Sequence, residues 1–419
     1  MSQSNIGRQF AQDLAVTLHA GVDLALEKNV VVVVNERAER IDHFSFPQER
    51  GGYDYFLRRL EGLRQKYHAT QVVVAMEPTN YFWKLLAREL EEKQQTYRLV
   101  NAYTVKKHRE GDQLDRSKDD RRDAGQIAEL SRNGKTTQTQ LQKGAYEDLR
   151  QYATLYHQLM QSVRREKAIL WGLIGQVFPE LVRAFKDLEG ETYRALLTNC
   201  AAAAAIRQMP MEEFLAQMRA AYSGKRLCTS KLKCVYQLAS QSIGVTEGIQ
   251  AIQLAIQVHL THLQVCETQL EQVTGAMNAR LYSLTEATYL LSCPCLKTTS
   301  AALFLAEVGD PQRYEAAAQW VKLAGIQPAP NTSGKKQRSR TPMSHQGRPR
   351  LRTLLYFTCL RMVQYDTRFA QLYADLQRRK DNPLTKMQAL GVLMNKLLHI
   401  WWALIHNQTF YNPSFGQPV

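Results

Sequence analysis

Thr17-Leu18-His19-Ala20-Gly21-Val22-Asp23, followed by Asn29-Val30-Val31-Val32-Val33-Val34, is the stretch whose reading decides the fold. The first segment is a short apolar run that ends in an acid. The second carries five consecutive valines, and β-branched side chains over so short a span predict a fully buried strand. Arg40 to Phe46 alternates Ile41, His43 and Phe44 loosely, which predicts a third strand and an antiparallel meander.

Downstream, Gly51 to Tyr67 places Tyr53, Phe56, Leu60, Leu63 and Tyr67 at helical spacing. Gln71 to Met76 is a second valine-rich strand, Asn80 to Gln94 an amphipathic helix and Tyr97 to Val100 a last short strand. Such a β-β-β-α-β-α-β order is that of an RNase H-like sheet with helices on its faces. Asp120 to Ser131 then reads as a helix opened by acids, which suits the positive end of its dipole.

From about Gly144 to Tyr282 the pattern is helical throughout. Val245, Ile249, Ile252, Ile256, His259, Leu263, Cys266, Leu270, Val273 and Met277 alternate four- and three-residue steps, a seam that predicts a coiled coil and through it a dimer. His259 within it reads as a packed, hydrogen-bonded core residue, because one imidazole rarely makes a site. Lys186 to Gly224, with its Ala201 to Ala205 run, reads as a helical insertion without chemistry of its own. Beyond Tyr289, short helices at Thr299 to Val308 and Ala316 to Ala324 precede a loop from Gln327 to Arg350, and helices resume from Leu351 to Asn407. The expected fold class is therefore α/β plus all-α. Its parts are a mixed-sheet domain over 1–135, a long helical coiled-coil region over 136–285 and a mostly helical C-terminal domain over 286–419.

With 419 residues the chain is long enough for two or three domains. A formal net charge of +15 points to a polyanionic partner, nucleic acid first and a membrane surface second. Met1 to Gln12 is polar and lacks the apolar run of a signal peptide. Leu390 to Ile405, the most apolar stretch, is broken by Asn395, Lys396 and His399 and reads as a buried helix of a soluble, cytoplasmic protein. The seven cysteines form no Cys-x-x-Cys pair, so reduced thiols are expected, and Cys293-Pro294-Cys295 reads as a loop.

Chemistry concentrates in two places. Asp23 closes the first strand and Glu77 the fourth, and in an RNase H-like sheet those strands are neighbours. Asp120 and Asp123, three apart on one helix face, can join them. Four carboxylates around one point suit one or two Mg²⁺ ions, which can stabilise both oxygens of a phosphodiester displacement. Acids at strand ends and helix starts are also ordinary surface and capping residues, and Asp115 and Asp119 compete with Asp120 on spacing alone. The second place is the loop, where Lys335, Lys336, Arg338, Arg340, Arg348, Arg350 and Arg352 meet no acid in sequence and form a footprint for phosphate. Ser333 lies among them in Asn331-Thr332-Ser333-Gly334-Lys335. Its hydroxyl needs a base, metal or dense positive charge to become a nucleophile, and Ser339 and Ser344 share its surroundings, so the residues alone favour a phosphate-contacting loop.

Taken in order, several motifs give the chain a family resemblance. They are Gly21-Val22-Asp23, Glu77-Pro78-Thr79-Asn80, Ser117-Lys118-Asp119-Asp120-Arg121-Arg122-Asp123-Ala124, Ala324-Gly325-Ile326-Gln327-Pro328, Thr332-Ser333-Gly334 and Ser344-His345-Gln346-Gly347. Together they resemble the insertion-sequence transposases of the IS110 (IS-one-ten) group, DEDD recombinases with a RuvC-like N-terminal domain and a C-terminal transposase domain. The resemblance implies Asp23, Glu77, Asp120 and Asp123 as catalytic metal ligands for Mg²⁺, the family's Asp-x-x-Asp-Ala spacing selecting Asp120 over Asp119. It implies Ser333 as the nucleophile that links covalently to DNA. It further implies a structured noncoding bridge RNA that selects donor and target DNA, a homodimer assembling to a tetramer, and a place at the bacterial nucleoid in the cytoplasm. The chain departs from the family in having Pro78 and Asn80 where Glu-Ala-Thr-Gly is usual, and Cys293-Pro294-Cys295-Leu296-Lys297 at its Pro-Gly-x-Gly turn. Two rivals remain from the residues: a metal-only Holliday-junction resolvase-like nuclease, and a non-enzymatic nucleic-acid-binding scaffold.

Overall fold

The computed structural model describes residues 16–78, 81–111, 119–184, 190–221, 228–329, 332–333, 336–337 and 342–412. The chain divides into two compact units, 1–142 and 143–419.

In the first unit β1 (Thr17–Asp23), β2 (Lys28–Val34), β3 (Arg40–Pro47), β4 (Gln71–Met76) and β5 (Tyr97–Leu99) form one sheet in the order β3-β2-β1-β4-β5. The first three strands are the antiparallel meander read from the sequence, while β4 runs parallel to β1 and β5 parallel to β4. Parallel neighbours need crossovers, which α1 (Arg50–Lys66) and α2 (Phe82–Glu92) provide. Strand alternation sends Leu18, Ala20, Val22, Val31, Val33, Val72, Val74 and Met76 to one face, where Phe56, Leu60 and Leu63 of α1 and Leu86 and Leu90 of α2 bury them. Each buried valine, leucine, methionine or phenylalanine among them contributes about 1.5 to 3 kcal/mol. On the opposite face lie α3 (Ala102–Gly111) and α4 (Asp120–Arg132). There Val32 and Val34 pack with Ala124 and Ala128, and Ala75 with Val105, Ile127 and Leu130.

The second unit is built on two long helices, α5 (Gly144–Val177) and, after the insertion, α11 (Ile249–Leu281). Between them come α6 (Pro179–Ala184), α7 (Glu191–Asn199), α8 (Ala203–Arg207), α9 (Met211–Ala221) and α10 (Thr229–Ser240). Asp148 pairs with Arg280 and Glu166 with His259, so the long helices run antiparallel, each about 50 Å long. The seam residues Ile256, Leu263 and Met277 are buried within the chain, against α5 and the elements at its two ends. Val245 lies ahead of the helix, its amide bonded to the Gln176 carbonyl at 2.9 Å. Because the stripe finds its cover within one chain, it gives no ground of its own for a dimer.

The remainder comprises α12 (Glu286–Leu291), α13 (Thr298–Val308), a 3₁₀ turn at Pro311–Arg313, α14 (Ala317–Ala324), the short strands β6 (Thr332–Ser333) and β7 (Lys336–Gln337), α15 (Pro349–Tyr365), α16 (Thr367–Arg378) and α17 (Lys386–His406). Phe304 is sandwiched between Trp320 and Trp401, with ring centroids 5.3 and 4.7 Å away, at the centre of this core. By length and composition α17 could cross a membrane. Here it is the core helix expected of Leu390 to Ile405, burying Leu390, Leu393, Leu397, Trp401 and Leu404.

Candidate nuclease site and basic arch

Gly21 sets the geometry of the acids. A Cβ at this position would stand 2.1 Å from the Ala124 carbonyl oxygen and 2.4 Å from the Ala128 amide, so only glycine lets α4 lie directly on β1. His19 Nδ1 then meets Ser131 Oγ at 3.0 Å, which fixes the helix's register and its antiparallel sense on the strand. From His19 to Asp23 the strand advances about 13 Å, and from Ser131 back to Asp123 the helix covers about 12 Å. Asp123 is thereby brought level with Asp23, and Asp120 lies one turn beyond. Asp123 is 8% exposed and Asp120 is at the surface.

Glu77 joins them through the sheet. Val22 pairs with Met76 between parallel strands, so Asp23 and Glu77 are the next residues out, on chains about 4.8 Å apart. Period-two alternation carries Glu77 to the side of Ala75, the face that α4 covers. The turn after Asp23 is held by Asn29, fully buried, whose Oδ1 accepts from the Ala25 amide at 3.1 Å and whose Nδ2 donates to Gln48 Oε1 at 2.6 Å. Asp119, one of the competitors for the third acid, is the N-cap of α4, its carboxylate accepting from the Arg121 amide at 3.1 Å. Asp115 lies outside the described residues. Their carboxylate oxygens are the ligand type that a hard divalent cation such as Mg²⁺ takes, though among the described residues these acids do not bring three ligand atoms within 4.8 Å of one another. Elsewhere in this unit a cavity of about 430 Å³, lined by His19, Glu36, Arg98 and Arg132, opens at the other end of β1. Burial holds the His19 imidazole below its usual pKa there.

The loop that carries Ser333 is an arch with a built stem. Gly325, at φ +67°, and Gly347 are in backbone contact, a Cβ on Gly347 falling 2.4 Å from the Gly325 amide. Above them Ser344 N donates to Gln327 O at 3.0 Å and Ala329 N to Pro342 O at 2.8 Å. At the tip Ser333 pairs in register with Lys336, β6 against β7. Lys335, Arg338 and Arg340 lie outside the described residues, and Ser333 and Lys336 are described for their backbone alone.

At the foot of the arch the cations differ from one another. Arg348 is not unopposed, since its guanidinium binds the Glu307 carbonyl and stands 3.8 Å from the Glu307 carboxylate. Burial, and then Arg150, depress its pKa. Arg352 donates to the Ala324 carbonyl at 2.9 Å, bracing the turn at Gly325. Arg350 is exposed. It acts with Arg164 on His157, whose pKa burial first and these two cations next push down to about 4. Helix α15 begins at Pro349, inside the stretch read as loop, because proline at a first helical position gives up no hydrogen bond. Sequence reasoning missed Arg150 and Arg164, which α5 brings to this basic foot, because their helix carried no motif.

Comparison with known proteins adds a family to this geometry. A family model of the DEDD IS110 class, described as a transposase, matches residues 20–179 and so spans all four acids. A second, described as "Transposase IS116/IS110/IS902 family", matches 287–374 and spans Ser333 with the basic arch. Together they cover more than half of the chain. The chain belongs to the IS110 family of transposases. Among its relatives is the "Insertion element IS110 uncharacterized 43.6 kDa protein" of Streptomyces coelicolor, 22% identical over 246 residues, which are 57% of this chain and 58% of that one. Another is a "Probable family 20 transposase" of Pseudomonas aeruginosa, 27% identical over 157 residues, 36% of this chain and 45% of the relative. The matched chain thus spans about half the length of these curated relatives. Neither family model reaches into 180–286, the insertion and α11. The DEDD class of the N-terminal match points to the use of divalent metal.

Proposed function

We propose that this IS110-family protein is a DNA recombinase that cuts and rejoins DNA to mobilise its own insertion sequence. The N-terminal unit is taken as a RuvC-like domain, supported by the strand order β3-β2-β1-β4-β5 with its mixed sense. One observation carries the proposal: Gly21 seats α4 directly on β1, which puts the acidic start of that helix toward the end of the sheet where β1 and β4 close with Asp23 and Glu77. These four carboxylates would hold Mg²⁺, which when bound supplies positive charge to the phosphate oxygens of the strand being cut. The arch holds the DNA backbone through Lys335, Lys336, Arg338, Arg340 and Arg350.

Ser333 is the proposed nucleophile. Its oxygen bonds to phosphorus, losing its proton, while the bond to the leaving deoxyribose oxygen breaks and that oxygen takes up a proton. The phosphoserine ester conserves the energy of the broken bond, so rejoining needs no external source. Donor and target selection by a bridge RNA and assembly of dimers into a tetramer rest on the family resemblance alone.

Trapping tests the proposal. The parent protein should form a covalent adduct with a nicked suicide DNA substrate, and Ser333→Ala should form none. An adduct that persists in the variant removes Ser333 from the role. Metal-dependent cleavage without an adduct in either protein would make the chain a resolvase-like nuclease acting through water.

A further inference from the structure

Among the described residues, a group of metal-ligand side chains within coordination reach of one another lies on the long helix pair. Glu166 of α5 and His259 and His262 of α11 each bring one ligand atom to within 4.8 Å of the others. His259 Nδ1 and Glu166 Oε2 are 2.6 Å apart, joined by a hydrogen bond. The His262 ring stands 6.1 Å from that of His259, nearly perpendicular to it at 89°. Glu166 and His259 are partly buried and His262 is exposed.

Three features favour a ligand over a simple hydrogen bond. Two imidazoles three residues apart share one helix face, and the carboxylate comes from the opposing helix, so the set is fixed across two elements. The hydrogen bond accounts for His259 and Glu166, yet leaves unexplained why His262 turns in upon a pair already satisfied. Lys167 and Arg194 direct their charge to Glu267, at 3.7 and 2.7 Å, so an acid is at hand to offset the cations beside Glu166. Two imidazoles and one carboxylate are a donor set for Zn²⁺ and its late-transition neighbours, whereas Mg²⁺ prefers oxygen alone.

We propose that Glu166, His259 and His262 bind a transition-metal ion of the Zn²⁺ class, water completing a tetrahedron, and that the ion clamps α5 to α11. The site is distinct in chemistry from the four acids of the first unit. It does not depend on their role.

Co²⁺ titration of the full chain tests this, with millimolar Mg²⁺ present to fill the carboxylate site. The expected result is one equivalent of Co²⁺ with visible bands of nitrogen ligation, displaced by Zn²⁺ and retained in Asp23→Asn. His262→Ala, at an exposed position, should keep the fold and weaken binding by more than about tenfold, and Glu166→Gln likewise. Absence of such bands in the parent protein overturns the proposal. So does binding in both variants equal to that of the parent, which would mark adventitious surface binding.

Discussion

Gly21→Ala is the most informative single change in this protein. The added methyl would sit 2.1 Å from the Ala124 carbonyl oxygen, where ordinary contact begins at 3.4 Å, so α4 must lift from β1 by more than 1 Å. Neither side can yield by side-chain rotation, since both contacts are to backbone atoms. Overpacking of that kind costs about 1 to 3 kcal/mol of stability. The larger effect is on chemistry, because a shift of about 1 Å in a catalytic constellation can cost about 100-fold in rate. Denaturant unfolding and metal-dependent DNA cleavage would be measured side by side, with Gly62→Ala as the control. Gly62 is in α1 with nothing within 4 Å of its would-be Cβ, so that change should stabilise by up to about 1 kcal/mol and leave cleavage alone. If Gly21→Ala unfolds and cleaves like the parent, the seat of α4 does not hold the acids together.

Other outcomes follow from the same geometry. Asp119→Ala should cost about 1 kcal/mol through loss of the α4 cap and keep appreciable cleavage, whereas Asp120→Ala should keep stability and lose cleavage. Arg350→Ala should weaken DNA binding for all sequences alike and reduce the salt slope by about one, as read by titration at several salt concentrations. Arg348→Met, which leaves Glu307 without its partner, should instead lower the unfolding midpoint. His157 has a folded pKa near 4, below its unfolded value of 6.5. Only the unfolded chain takes up that proton between the two, so stability present above pH 6.5 should fall toward pH 4, by about 1 to 2 kcal/mol for a half-buried ring. His157→Gln should flatten that part of the profile.

Much of this was legible in the residues because the first unit obeys simple periods. The valine runs, the acid at each strand end and the acidic helix start lead to the sheet and to the helix that lies on β1. What escaped had no local signal. In sequence Gly21 is one member of a motif, and only the packed helix shows it as the contact that admits α4. The α11 seam has a perfect heptad, yet a heptad states only that a stripe is buried, and here the cover is α5 of the same chain. Arg348 has no acid near it in sequence, and α13 and the foot of the arch bring Glu307 to it. His259 is hydrogen-bonded, as its place in an apolar seam predicts. Its meeting with His262 and Glu166 needed the fold.

The most direct test of the account is anomalous diffraction from crystals grown with Mn²⁺, as a stand-in for Mg²⁺. A peak bonded to oxygens of Asp23, Glu77 and Asp123 is the predicted result, at about 2.2 Å, the spacing of carboxylate ligands around such ions. Crystals with the sheet intact and no metal at the ends of β1 and β4 would contradict it.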